Sequence, residues 1–257
     1  MSFRRFLAPA ALAFGLAAAL AAPVRAAERV TVFAAASTIE VMKEVAAAWH
    51  DASGNTAVIS FDSSGSLARQ IDSGAPASVF LSANVKWVDY LIGRKAVRAD
   101  TRFTAFRNSL VLIAPKGSAA TDRIDPATGT YAALAGANRL ALGDPRYVPA
   151  GTYGRQTLKK LGLWKATSAR IARTQNVRVA LALVERGEAA LGIVYRTDAF
   201  RNPKVRIVAH YPPELHTPIR YEAVETDRAD KAADAFVAFM KSERATALYA
   251  KYGFVTE

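Results

Sequence analysis

Ser37 is the first residue of the chain whose type and setting suggest chemistry. It ends the run VTVFAAAS (residues 30–37) and stands three residues before Glu40, the spacing of a capping box. A strand that hands a hydroxyl to a helix start gathers free N–H groups and the positive end of a helix dipole at one point. That is a place for an anion. Alone, such a serine does no more than cap its helix. A second junction of the same kind follows. Residues 56–61 form an apolar run, Asp62-Ser63-Ser64-Gly65-Ser66 is a small polar turn, and Leu67, Ala68 and Ile71 start a helical pattern. A third helix start lies at Thr174-Gln175-Asn176, ahead of the strong pattern 177–185 that Gly187 closes. The chemistry on offer is hydrogen-bond donation.

Reactive chemistry is missing by comparison. The chain has no G-x-S-x-G, no H-E-x-x-H, no P-loop and no G-x-G-x-x-G. His50, His210 and His216 lack metal-ligand spacing and read as surface histidines, the last two flanking Pro212-Pro213 in a loop. Asp122 and Asp125 sit in the turn-rich stretch 122–129, where Asp serves local hydrogen bonds. No nucleophile, base or metal cluster can be named, so an enzyme is not expected.

Elements must position the donors. Residues 30–33 read as a buried strand, and Ile39, Val41, Met42, Val45 and Trp49 as one face of the helix after it. Further strands are expected at 56–61, 79–82, 140–142 and 191–195, alternating with helical patterns. A short helix is expected at 131–134. Such alternation builds a parallel α/β sheet with ligands at the carboxyl ends of its strands. The run 109–115, SLVLIAP, breaks the rhythm. Residues 219–224 read as a returning strand, with helices at 231–241 and 245–252. The late return of the chain after a long insertion implies two lobes joined by two crossings.

Composition sets the compartment and the class. Arg4 and Arg5 precede a mostly apolar stretch (6–22), and Val24-Arg25-Ala26 fits a small-x-small cleavage rule. Residues 1–26 are therefore expected to be a signal peptide cut after Ala26, which places the mature chain in the periplasm. No other stretch approaches the ~18 apolar residues that cross a bilayer. The 257 residues include no cysteine, which excludes disulfides and thiolate chemistry. The formal charge is +12; without Arg4, Arg5 and Arg25 it is +9 (12 − 3). The basic residues are dispersed rather than clustered with aromatics, so nucleic acid is not expected as a partner.

Taken together, these stretches resemble the molybdate-binding family, the periplasmic solute-binding component of an ATP-driven oxyanion importer. The resemblance runs from about residue 29 to 254. It is carried by VTVFAAAS, SFDSSGSLARQI (60–71), GAPASVFLSA (74–83), NSLVLIAP (108–115), ALGDPRYVPAGTYG (141–154), NVRVALALVERGEAALGIVY (176–195) and KYGF (251–254). It implies a bilobed periplasmic-binding-protein fold of the second type, with two parallel-sheet lobes. The first lobe would comprise 27–107 and 218–257, the second 108–217. Molybdate or tungstate would lie between them with no cofactor and no bound cation. The family pattern assigns hydroxyl and N–H to Ser37, a second serine to Ser64, backbone N–H groups to Ala150 and Val177, and the phenol to Tyr195. The implied partner is a membrane permease, and the protein is expected to be a monomer. Ser37, Ser64, Ala150 and Val177 each fall at or near an expected helix start, and Tyr195 at a strand end, so the physical reading agrees.

Two positions depart from the pattern. Ser78 stands where the family commonly has Asp, and Asp62 opens the serine-rich turn. A carboxylate facing the ion would repel a fully ionised oxyanion and suit one that keeps a proton. Asp62 is expected instead to cap its own turn. The rival readings are a binding protein for sulfate or phosphate and, from another class, a secreted enzyme.

Overall fold

A computed structural model of the chain describes residues 27–118 and 139–256. The expected leader with its cleavage point, the turn 122–129 and the helix 131–134 lie outside the described residues.

The chain opens with β1 (Arg29–Ala35), buried from Val30 onward except at Thr31. A single 3-10 turn, Ala36–Thr38, leads into α1 (Ile39–Ser53), which buries Val41, Met42, Val45 and Trp49. Gly54, with φ of 72°, closes that helix by giving its N–H to the His50 carbonyl at 2.8 Å. Then come β2 (Thr56–Asp62), α2 (Ser64–Asp72), β3 (Val79–Ser82), α3 (Val85–Gly93) and β4 (Phe103–Arg107). The chain crosses to β5 (Leu110–Pro115), and the next described strand is β6 (Leu140–Gly143). There follow α4 (Pro149–Lys160), α5 (Trp164–Thr167), β7 (Ile171–Thr174), α6 (Val177–Glu185), β8 (Leu191–Tyr195), α7 (Arg196–Ala199) and β9 (Val205–His210). A second crossing brings it back to β10 (Arg220–Glu225), α8 (Lys231–Met240) and α9 (Glu243–Lys251).

The strands make two five-stranded sheets, ordered β2-β1-β3-β10-β4 and β7-β6-β8-β5-β9. The α/β fold with two lobes is the one expected, with one correction: the sheets are mixed, not parallel. β1 runs parallel to β2 and β3, and β6 to β7 and β8, as the strand–helix rhythm requires. β10 runs antiparallel to β3 and β4, and β5 antiparallel to β8 and β9. The reason is connectivity. The parallel strands end at the junction between the lobes. A strand that enters a lobe straight from a crossing starts at that junction and must run the other way.

Apolar packing then fixes the frame. Trp49 of α1 meets Phe236 of α8 edge-on at 5.0 Å, so the last segment covers the first sheet. Phe106 of β4 lies 4.6 Å from Tyr249 and 4.3 Å from Phe254. Tyr195 of the second lobe meets Tyr221 of the first at 5.7 Å, an edge contact across the junction.

Candidate functional site

A small cavity, with about 10 Å³ open to the centre of a water-sized sphere, lies between the lobes, where the carboxyl ends of β1, β2 and β8 meet helix starts. Ser37, Ser64, Ala150, Val177 and Tyr195 all line it, although they come from five separate stretches of chain.

Each arrives by a local device. Ser37 lies in the 3-10 turn after β1, and its Oγ shares a 2.7 Å hydrogen bond with the Tyr221 hydroxyl. It does not form the expected capping box. The 3-10 turn delays α1 to Ile39, so Ser37 is displaced from the cap position and Glu40 turns to Arg178 instead. Ser64 is the first residue of α2, whose cap is Ser63, with Oγ accepting the Ser66 N–H at 3.3 Å. Ser64 Oγ accepts the Ala83 N–H at 3.0 Å, which leaves its own hydrogen to donate. Ala150 follows Pro149, the first residue of α4, and so bears the first N–H of that helix. Val177 is the first residue of α6, capped by Asn176, whose Oδ1 accepts the Val179 N–H at 3.1 Å. The opening N–H groups of a helix have no partner within it. Three helix starts and a 3-10 turn therefore point donors and positive dipole ends at one small space.

Tyr195 ends β8 and is 1 % exposed. Its hydroxyl has no hydrogen-bond partner among the described residues. Burial above all, then the neighbouring Tyr221 and Tyr153, pushes its pKa well above the usual phenol value. It remains a neutral donor. Burial likewise raises Tyr221 well above the phenol range, opposed by its bond to Ser37.

Asp62 departs from expectation. It lines the cavity, and it caps nothing locally, since Ser63 holds that position. Its Oδ1 accepts Asn176 Nδ2 at 3.1 Å across the lobe junction. Because the Asn176 carbonyl is committed to capping α6, its amide hydrogens must face Asp62. Asn176 and Tyr221 are thus part of the site's framework that sequence reasoning did not assign. The cap signal at Asn176 was readable; nothing local marked Tyr221. None of the lining residues is Lys or Arg.

His216 is a second correction: it is buried, not on the surface. Its ring sits 5.7 Å from Tyr153, its Nδ1 meets the Thr217 carbonyl at 2.9 Å, and burial lowers its pKa. His50 and His210 are exposed. Among the described residues no group of three His, Cys, Asp or Glu could hold a metal ion. No helix among them is long and apolar enough to cross a membrane.

Two lobes around a cavity ringed by hydrogen-bond donors are the arrangement of a solute-binding protein. The family model for bacterial extracellular solute-binding proteins matches residues 30–255, and the chain belongs to that family. It is 43 % identical over 227 residues to the molybdate-binding protein ModA of Escherichia coli, covering 88 % of each chain. It is 40 % identical over 241 residues to ModA of Haemophilus influenzae, covering 93 % of this chain and 94 % of that one. Among solved structures it matches the periplasmic molybdate-binding protein of Azotobacter vinelandii with a TM-score of 0.78 and 29 % identity, over 89 % of this chain and 99 % of the other.

Proposed function

We propose that this protein captures molybdate (and tungstate) in the cavity between its lobes and delivers the ion to the permease of an ABC importer from the periplasm. Ser37, Ser64, Ala150, Val177 and Tyr195 supply the donors. The two lobes, residues 27–107 with 218–257 and residues 108–217, close on the ion about the two crossings, and the protein acts as a monomer without catalysis. The observation that carries this reading is the Tyr195 hydroxyl, buried without an acceptor at the wall of a cavity fed by three helix starts. A buried donor left unpaired costs about 1–3 kcal/mol, and an anion in the cavity removes that cost.

The energies are adequate. Taking a doubly charged ion out of water costs several kcal/mol. Hydrogen bonds to a charged group return roughly 1.5–3 kcal/mol each, and micromolar binding needs about 8 kcal/mol net. Roughly five to eight converging donors, helped by helix dipoles, meet that need without a cation. Because donors come from both lobes, the ion has differential affinity for the closed form and shifts the population to it.

Asp62 at the wall favours a second reading, an oxyanion that keeps a proton, such as hydrogen phosphate. Asn176 already occupies one oxygen of that carboxylate, which supports the fully ionised ion. Calorimetric titration with molybdate, tungstate, sulfate and phosphate separates the two. Binding of molybdate and tungstate with sulfate and phosphate silent is the expected result; tighter binding of sulfate or phosphate would overturn it.

A further inference from the structure

We propose that Arg178 is a positioning residue of this site, a single guanidinium that ties three of the five donors together and clasps the lobes behind the ion. This rests on the oxyanion reading of the cavity and deepens it.

Arg178 is the second residue of α6, directly after Val177. Its Nη2 donates to the Ser37 carbonyl at 3.3 Å. Its Nη1 and Nη2 reach the two carboxylate oxygens of Glu40 at 2.8 and 2.5 Å. On its other edge Nε lies 2.8 Å from Asp198 Oδ1, an ion pair without hydrogen-bond alignment. The remaining oxygen, Asp198 Oδ2, accepts the backbone N–H of Tyr195 at 3.0 Å. One continuous set of contacts thus runs from Ser37 through Arg178, beside Val177, to Asp198 and Tyr195. Arg178 itself does not line the cavity.

The partners divide by lobe, and their burial decides which contacts can break. The Asp198 carboxylate is fully buried in the second lobe, and removing its partner would strand a charge away from water. Arg178 therefore stays with Asp198. Glu40 and Ser37 belong to the first lobe, and the Glu40 side chain is 49 % exposed. Those are the contacts that part when the lobes open and re-form when they close. A planar guanidinium can hold three groups at fixed angles, which an ammonium cannot. Two carboxylates more than neutralise it, so it orders the donors without placing net positive charge behind the ion. That arrangement tightens closure and still allows release.

The test compares the parent protein with Glu40→Gln and Arg178→Lys. Three quantities are read with sodium molybdate as the probe: affinity by calorimetry, the ion's dissociation rate by stopped flow, and the melting temperature of the ion-free protein. Glu40→Gln should release molybdate about threefold to tenfold faster, since a half-exposed pair is screened. Its ion-free melting temperature should not change, which a merely structural role would not produce. Arg178→Lys should weaken binding by roughly tenfold or more. Should Arg178→Lys fail to fold, Glu40→Gln decides alone. A parent that binds molybdate, with Glu40→Gln releasing it at the parent's rate, would overturn the positioning role only. A parent that binds no molybdate would overturn the oxyanion reading and this role with it.

Discussion

Tyr195 brings a hydroxyl to the cavity wall and finds no acceptor there, whereas Ser37 and Ser64 each have one neighbour already in place. This asymmetry makes Tyr195 the most informative single substitution. Tyr195→Phe keeps the ring and its contact with Tyr221 but removes the donor. Molybdate affinity should fall roughly tenfold to a hundredfold, the equivalent of about 1.5–3 kcal/mol for a hydrogen bond to a charged group. The ion-free melting temperature should hold or rise, because an unpaired buried hydroxyl has gone. Calorimetry and thermal melting check both outcomes. At this scale the sequence was readable where the signal is local. Ser37 and Ser64 stand out because a strand, a hydroxyl and a helix follow one another directly. The role of Glu40 was not readable, because its partner Arg178 lies 138 positions away. Nor was the cross-lobe bond of Asp62, 114 positions from Asn176.

Two of the helix starts, those of α2 and α4, reach the cavity because glycines let backbone approach backbone. Gly65, next to Ser64, gives its N–H to the Tyr147 carbonyl of the other lobe at 3.1 Å. A Cβ there would lie 2.4 Å from that carbonyl oxygen and 2.5 Å from the Trp87 ring. Gly151, next to Ala150, is tighter still: a Cβ added there would lie 1.9 Å from the Gly143 carbonyl oxygen. Gly65→Ala should therefore do two things. The Trp87 clash should lower the melting temperature, and the Tyr147 clash should hold the lobes apart and weaken molybdate binding by about tenfold or more, in line with the 1–3 kcal/mol cost of overpacking. Small-angle scattering with saturating ion should show a wider molecule than the parent. The element pattern itself was largely legible: the strand–helix alternation gave the parallel cores β1–β3 and β6–β8. Strand sense at β5 and β10 was not, because a run such as SLVLIAP looks the same in either direction. Only the two crossings decide it. The burial of His216 escaped for a similar reason, since it depends on Tyr153 in another part of the chain.

Over the whole molecule, a formal charge of +12, or +9 without Arg4, Arg5 and Arg25 (12 − 3), draws anions from a distance, while the cavity wall carries no cation at contact. Attraction and capture are thus separated, and added salt should slow association more than it speeds release. Buried charge also sets a pH dependence. Burial pushes the Asp198 carboxyl from 3.8 up to about 6, against the pull of Arg178. An acid raised in this way contributes stability that is full below its unfolded pKa and is lost as pH rises through the folded one. The melting temperature of the parent relative to Asp198→Asn should accordingly fall as pH is raised from about 4 to about 7. The most direct measurement of the central claim is a crystal structure of the protein with molybdate. The expected result is a tetrahedral ion between the lobes with its oxygens on the Ser37 and Ser64 hydroxyls, the Ala150 and Val177 N–H groups and the Tyr195 hydroxyl, untouched by any Lys, Arg or metal ion. An ion seated elsewhere, or held by a cationic side chain, would contradict it.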